Sequence, residues 1–106
     1  MTTIRHKALK PRIDRTNLKA LAVRAGKPIF FDVNVRGEPA HKVQWFQKWK
    51  AEQKEVTENV INVDYNTKLD IKESVRAMTG TYRILATNEH GSDEAEVEIT
   101  VLSAPG

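Results

Sequence analysis

The sequence predicts an all-β fold, a sandwich of two antiparallel sheets that contains no disulfide. Three observations favour this architecture. Apolar residues recur at every second position in several short segments, as in strands that bury one face. Turn-forming residues separate these segments. The chain contains no cysteine, and two packed sheets are the economical way to bury about eight such strands.

The composition is that of one soluble domain. The 106 residues are 40% hydrophobic and 29% charged, which is too apolar for a disordered chain and enough to bury roughly 65% of the unfolded surface. No apolar run approaches the roughly 20 residues of a membrane span, and the N-terminal residues lack the apolar core of a secretory signal. We therefore expect a cytoplasmic domain with no membrane partner.

The first half of the chain contains three predicted strands after a leader. Residues 1–10 carry no periodic pattern and are expected to form a flexible leader or linker. A first edge strand begins at Ile13, and a second short strand covers residues 18–23. The clearest alternation runs over residues 29–36, where every second side chain is apolar, so this strand is predicted to bury one face.

The middle of the chain is the least regular part. After a turn at residues 37–39, Val43 and Trp45 are predicted to point into the core. Residues 47–58 are charged and lack glycine and proline. We interpret them as an extended connection, although their propensities are also compatible with a turn of helix. A further turn is predicted at residues 64–66. The next predicted inward positions are Val60, Leu69, Ile71 and Val75.

Two alternating strands close the predicted sandwich. In the first, Tyr82, Ile84 and Ala86 point inward. A turn at residues 88–91 leads to the second, in which apolar residues alternate with glutamates. Residues 103–106 are expected to form a C-terminal linker. This division leaves residues 11–102 as the folded domain.

Six short segments of the chain form an ordered set of motifs. They are Val-Arg-Ala-Gly at 23–26, Val-Asn-Val-Arg-Gly-Glu-Pro at 33–39, Trp-Phe at 45–46, Lys-Leu-Asp-Ile-Lys at 68–72, Arg-Ala-Met-Thr-Gly-Thr-Tyr at 76–82 and Ala-Thr-Asn-Glu-His-Gly at 86–91. Taken in order, they resemble the intermediate-set immunoglobulin domains of giant muscle proteins such as titin, twitchin and projectin, and the resemblance covers residues 11–106. It implies a non-enzymatic module without a cofactor, with immunoglobulin and fibronectin type III domains as neighbours in one chain.

The resemblance also implies a core signature. Val33 and Ile84 stand where other family members carry the two bridging cysteines, and Trp45 is expected to lie against them. Tyr82 corresponds to the family's tyrosine corner, with its hydroxyl bonded to the backbone of the preceding turn. Leu69 completes the signature. Because a missing disulfide forfeits about 2–4 kcal/mol, this packing has to carry more of the stability.

The chain departs from the family pattern at three places. Met78 stands where the family usually has an aspartate that anchors the tyrosine-corner loop. His41 stands where proline is usual. The segment after Phe46 is longer than the family's common turn and contains Trp49. These departures are compatible with a natural variant and with an engineered one.

Charge is distributed unevenly along the chain. Residues 1–28 hold eight basic side chains and one acidic side chain, whereas residues 89–106 hold five acidic side chains and no lysine or arginine. These charges either solvate opposite edges of the sandwich or form a basic patch for an acidic partner. No aromatic residue is interleaved with the basic ones to stack on bases, so nucleic acid is not the expected partner.

Residues suited to catalysis or metal binding are scattered. His6, His41 and His90 lack the short paired spacing of metal ligands, and Ser74 and Ser92 stand in no catalytic motif. We therefore expect no enzymatic activity, no cofactor and no metal site.

One candidate partner-binding surface lies on the outward face of the Trp45 strand and its neighbours. Phe46, Leu85 and Arg83 are predicted to face outward there, beside the glutamates of the last strand. Either Arg83 pairs with these glutamates and the apolar side chains are ordinary surface residues, or Phe46, Leu85 and Trp49 form a docking spot rimmed by charge. Trp49 either tucks against the sheet or stands free as an anchor.

The expected function is that of a monomeric sarcomeric module. The resemblance implies a tension-bearing link, in which the strands at residues 12–23 and 94–101 are loaded in shear. It also implies attachment to the thick filament, with myosin as a candidate partner. The alternative is a recognition domain, natural or engineered, that binds a protein through residues 46–58 and adjacent loops. A third hypothesis is a domain that binds acidic protein tails or polyanions through the N-terminal basic residues.

Overall fold

Two β-sheets packed face to face make up the described part of the chain, residues 10–38 and 42–103 of a computed structural model. This confirms the predicted all-β sandwich, and without cysteine it has no disulfide. Residues 1–9 of the expected leader, His41 and residues 104–106 of the expected linker lie outside the described residues. No helix among the described residues is long and apolar enough to cross a membrane.

Nine strands and one short 3₁₀ helix are found in the described residues. The helix, Arg76–Met78, comes just before the eighth strand. In chain order the strands are β1 (Arg12–Ile13), β2 (Leu21–Arg24), β3 (Ile29–Arg36), β4 (Lys42–Trp49), β5 (Glu52–Val56), β6 (Val60–Val63), β7 (Asn66–Ile71), β8 (Gly80–Asn88) and β9 (Gly91–Leu102).

The strands divide into a sheet of four and a sheet of five. The four-stranded sheet has the order β1-β3-β7-β6, and all its pairs are antiparallel. The five-stranded sheet has the order β2-β9-β8-β4-β5. Its strands are antiparallel except for β2 and β9, which run parallel. β2 and β9, which are the first and last strands of this sheet along the chain, are therefore neighbours that run in the same direction.

The core lies between the sheets and follows from the alternation of the sequence. In β3 the side chains at 29, 31, 33 and 35 are buried and those at 30, 34 and 36 are exposed. The same period of two places the apolar residues of β8 and β9 inside and the glutamates of β9 outside. The five signature residues, which belong to one buried cluster, are Val33, Trp45, Leu69, Tyr82 and Ile84.

Two expectations about the middle of the chain need correction. Residues 47–58 are extended, as interpreted, and contain no helix, but they are not a mere connection, because β4 continues to Trp49 and forms a hairpin with β5. Lys50, in the turn, has a φ of 57°, a left-handed conformation that sequence rules reserve mainly for glycine and asparagine. Val75 is 49% exposed rather than inward, because β7 ends at Ile71 and the alternation does not continue into the connection that follows.

Candidate functional surfaces

A hydrogen bond joins the two sheets at the centre of the sandwich. Trp45, fully buried in β4, donates its indole N–H to the hydroxyl oxygen of Thr67 in β7 at 2.8 Å. Trp45 lies opposite Ile84 in the ladder with β8, and its ring centroid is 6.5 Å from that of Phe31. Val33 is buried in the same cluster. Thr67 was not among the predicted inward positions, although its alternation with Leu69 places it on the inward face.

The turn before β8 is fixed by two side chains. The Tyr82 hydroxyl donates to the carbonyl oxygen of Met78 at 2.6 Å, and burial raises the pKa of Tyr82 to about 12. Gln47 donates its amide group to the carbonyl oxygens of Ala77 at 2.8 Å and Thr79 at 2.9 Å. Gln47 therefore anchors the loop in which Met78 replaces the usual aspartate. The sequence contained a signal for this inward position, because Gln47 follows the inward-facing Trp45 by two residues and so shares its side of the strand.

The parallel pair of β2 and β9 runs along the edge of the five-stranded sheet. Leu21 to Arg24 lie opposite Ile99 to Leu102 in register. Beyond the strand, the Ala25 N–H donates to the carbonyl oxygen of Leu102 at 2.8 Å. Because N–H directions alternate along a strand, the N–H groups of Val23 and Leu21 also face β9, and that of Ala22 faces away.

Asp93 connects β1 to β9. Its carboxylate accepts the backbone N–H of Ile13 at 2.8 Å and a guanidinium N–H of Arg15 at 3.1 Å. Arg15 also donates to the carbonyl oxygen of Ile13 at 3.0 Å. Partial burial raises the pKa of Asp93, but the hydrogen bonds from Ile13, Arg15 and Glu94 outweigh that effect and hold the pKa below its ordinary value. The short strand β1 is thus tied to both sheets.

The four candidate partner-binding residues do not form one surface. Phe46 and Leu85 are half-buried, and Arg83 makes an ion pair with Glu94 across β8 and β9. Trp49 is 52% exposed. Because side chains alternate along β4, Trp49 lies on the same side of the strand as Trp45 and on the opposite side from Phe46.

Trp49 instead stands at the end of the sandwich where β9 terminates. It lines a cavity of about 560 Å³ together with Arg76, Ala77 and Leu102. The Lys50 ammonium lies 5.8 Å from the centre of its ring, within the range of a cation–π contact. Trp49 and Leu102 are both exposed large apolar side chains, and both line this cavity.

His90 lies between two carboxylates. Its Nε2 atom is 3.2 Å from Glu38 and 3.9 Å from Glu89. The ligand atoms of these three residues all lie within 4.8 Å of one another, close enough to approach one cation. Spacing along the chain did not reveal this group, because Glu38 follows β3 and His90 lies in the β8–β9 turn. The pairing of β4 with β8 brings these two connections together.

A family model, Immunoglobulin I-set domain, matches residues 11–101. The chain belongs to the immunoglobulin I-set domain family. Among curated proteins, Muscle M-line assembly protein unc-89 of Caenorhabditis elegans is 32% identical over 77 residues, which are 73% of this chain and 1% of that protein. Palladin of Mus musculus is 30% identical over 102 residues, 94% of this chain and 7% of palladin. The chain thus spans a small part of either relative.

Solved immunoglobulin domains of titin share the fold of this I-set domain. A structure of titin M10 in complex with the obscurin-like 1 immunoglobulin domain has a TM-score of 0.72 and 22% identity, covering 92% of this chain and 99% of the other. Titin Z1Z2 in complex with telethonin has a TM-score of 0.77 and 22% identity, covering 95% and 52%. The family is generally non-enzymatic, and this I-set domain is a structural or interaction module.

Proposed function

We propose that this I-set domain is a tension-bearing link within a longer cytoplasmic protein of the sarcomere, with residues 11–102 as the folded unit. The observation that carries the proposal is the parallel pairing of β2 and β9. Of the described strands, these two lie close to the ends of the domain and are direct neighbours in one sheet.

Parallel pairing determines how a pull along the chain acts on the ladder. Tension draws β2 towards its N-terminal end and β9 towards its C-terminal end. Because the strands run in the same direction, these pulls are opposed along the strand axis and load the hydrogen bonds in shear. All the bonds of the pair then resist together, whereas bonds that are peeled apart break one after another.

The N-terminal side carries a second attachment in series. Tension entering from the N-terminus reaches β1 before β2, and β1 is held to β9 by Asp93 through Ile13 and Arg15. These contacts would yield before the β2–β9 pair, because they are partly exposed and few. The relatives support the sarcomeric setting, since unc-89 is described as a muscle M-line assembly protein and this chain covers 1% of it.

Single-molecule force spectroscopy on the domain, extended from its ends, tests the proposal. Val23→Pro removes an N–H that faces β9, whereas the matched variant Ala22→Pro removes one that faces away, at an edge where proline is tolerated. We expect Val23→Pro to lower the unfolding force clearly and Ala22→Pro to leave it near that of wild type. Equal forces for the two variants would contradict the proposal.

A second candidate function is protein docking through Trp49. The exposed indole and the cavity that it lines together with Leu102 support it, because tryptophans are enriched at the centres of interfaces. The titin complexes with obscurin-like 1 and telethonin provide a precedent in domains of this fold. The partner proposed here is a sarcomeric protein, with myosin as the first candidate, and the domain itself is monomeric.

Cosedimentation with reconstituted myosin filaments tests this second function. We expect the wild-type domain to enter the pellet at physiological salt. Trp49→Ala should abolish that binding, whereas Gln53→Ala, an exposed change on the neighbouring strand β5, should retain it. Absence of the folded wild-type domain from the pellet, or equal retention of both variants, would rule out docking on myosin through Trp49.

A further inference from the structure

Two arginines lie directly opposite each other on the outer surface of the four-stranded sheet. Arg12 in β1 pairs with Arg36 in β3, and both side chains are exposed. Side chains at directly opposite positions of an antiparallel ladder start about 5 Å apart, and like charges there are destabilising. The pair is therefore an arrangement that stability alone does not favour.

Two further cations surround this pair. Lys10 and Arg15 line the same cavity of about 620 Å³ as Arg12 and Arg36. The remaining lining residues are Pro11, Gly37, Ser92 and Asp93. The cavity is bounded by β1 and β3 of one sheet and by the start of β9 in the other. We call it the Arg12–Arg36 groove, and its lining contains four cations and one acid.

The acids near the groove are already engaged. Asp93 accepts hydrogen bonds from Ile13 and Arg15. Asp14 accepts two hydrogen bonds from Thr16. These hold its pKa below the ordinary value, with a smaller contribution from the charge of Arg36. Within residues 10–38 and 42–103, neither arginine of the central pair has an ion-pair partner within 4 Å.

We propose that the Arg12–Arg36 groove binds an acidic segment of another protein, a run of aspartate or glutamate side chains. Its carboxylates would each receive a forked pair of N–H groups from one arginine, the geometry in which guanidinium and carboxylate match best. The bound carboxylates would also screen the two arginines from each other. A protein segment fits better than a nucleic acid, because no aromatic side chain lines the groove to stack on bases.

Three of the four cations of the groove were visible in the sequence as part of one basic run. The N-terminal run of basic residues supplies Lys10, Arg12 and Arg15, but Arg36 joins them only through the pairing of β1 with β3. The groove shares no residue and no assay with the tension-bearing function or with docking through Trp49. Failure of any one of the three proposals would therefore leave the other two standing.

Fluorescence anisotropy with a labelled peptide of ten glutamates tests the groove directly. Arg12→Gln combined with Arg36→Gln removes the central pair. Lys19→Gln combined with Lys27→Gln removes the same charge from exposed positions outside the groove lining. At moderate salt we expect the first double variant to weaken binding at least about tenfold, as loss of one charge-assisted contact would. The second should change it about twofold or less, the effect of distant screened charge.

Four results would overturn the proposal. Equal weakening by both double variants would mean that the peptide responds to overall charge and not to the groove. If the wild-type chain did not bind the peptide measurably, acidic protein segments would be excluded as ligands of the groove. Tighter, groove-dependent binding of a ten-nucleotide single-stranded RNA would assign the surface to nucleic acid. The melting temperature of the arginine double variant should equal or exceed that of wild type, and a lower one would contradict the unfavourable pairing on which the proposal rests.

Discussion

Trp45 and Thr67, which belong to different sheets, are joined by a buried hydrogen bond of 2.8 Å between the indole nitrogen and the hydroxyl oxygen. The same hydroxyl donates in turn to the side-chain oxygen of Asn62 in β6. A polar contact therefore links the sheets in the layer where other immunoglobulin domains place a disulfide. Both Trp45 and Thr67 are fully buried, so neither has water as an alternative partner.

Replacing Thr67 with valine should destabilise the domain by about 1–3 kcal/mol, because the shape is kept while the Trp45 N–H loses its acceptor in the core. Thr67→Ser keeps the hydroxyl and removes one methyl group, so it should retain the hydrogen bond. Urea unfolding followed by tryptophan fluorescence measures both variants. If Thr67→Val were as stable as wild type, the bond would not contribute to holding the sheets together.

Tyr82→Phe should cost about 1 kcal/mol at neutral pH, the usual value of one hydrogen bond, because the Met78 carbonyl loses its donor. The folded state raises the pKa of Tyr82 from 10.0 to about 12. The contribution of this pKa shift to the free energy of unfolding is therefore fully present below pH 10 and is lost as the pH rises towards 12. The cost of Tyr82→Phe should accordingly shrink over that range.

Absorbance at 295 nm in a Tyr65→Phe background follows the Tyr82 phenolate alone, since the chain has two tyrosines. A titration midpoint near 10 in the folded protein would contradict the buried, bonded hydroxyl. Tyr65 is itself exposed, so its replacement should leave the fold intact.

Asp93→Asn should lower stability at pH 7 because the amide satisfies Ile13 and Arg15 less well than a carboxylate does. The folded-state pKa of Asp93 lies below its ordinary 3.8, so its contribution is present above that value and lost as the pH falls through the folded-state pKa. The difference between variant and wild type should therefore narrow on acidification.

Denaturant titrations at pH 7 and at pH 2.5 measure this narrowing. Glu98→Gln, an exposed change on the same strand, provides the matched control. Its free energy of unfolding should equal that of wild type at both pH values. A stability gap for Asp93→Asn that is unchanged between the two pH values would show that the carboxylate charge is not what secures β1.

Alternation of apolar residues was enough to predict the sandwich and most of its core, because strands with one buried face leave that period in the sequence. It was not enough for polar residues that face inward: Gln47 and Thr67 look like surface residues until their partners in other strands are known. Lys50 gave no turn signal, which hid the β4–β5 hairpin, and Trp49 was grouped with Phe46 although the two point to opposite sides of β4.

Register between distant strands also lies beyond what one sequence shows. Arg36 ends a strand whose pattern was clear, yet nothing in that pattern placed it opposite Arg12. The contact of His90 with Glu38 is hidden for the same reason. Functional surfaces of a sandwich are assembled across strands, so the candidate sites were predicted less well than the fold.

Pulling one domain along two directions tests the central claim most directly. The chain has no cysteine, so introduced cysteines give unique attachment points. Lys19→Cys with Ser103→Cys loads the β2–β9 pair in shear, and Lys19→Cys with Glu98→Cys peels the same pair apart from one end. The account predicts a clearly higher unfolding force for the first pair of anchors, and equal forces along the two directions would contradict it.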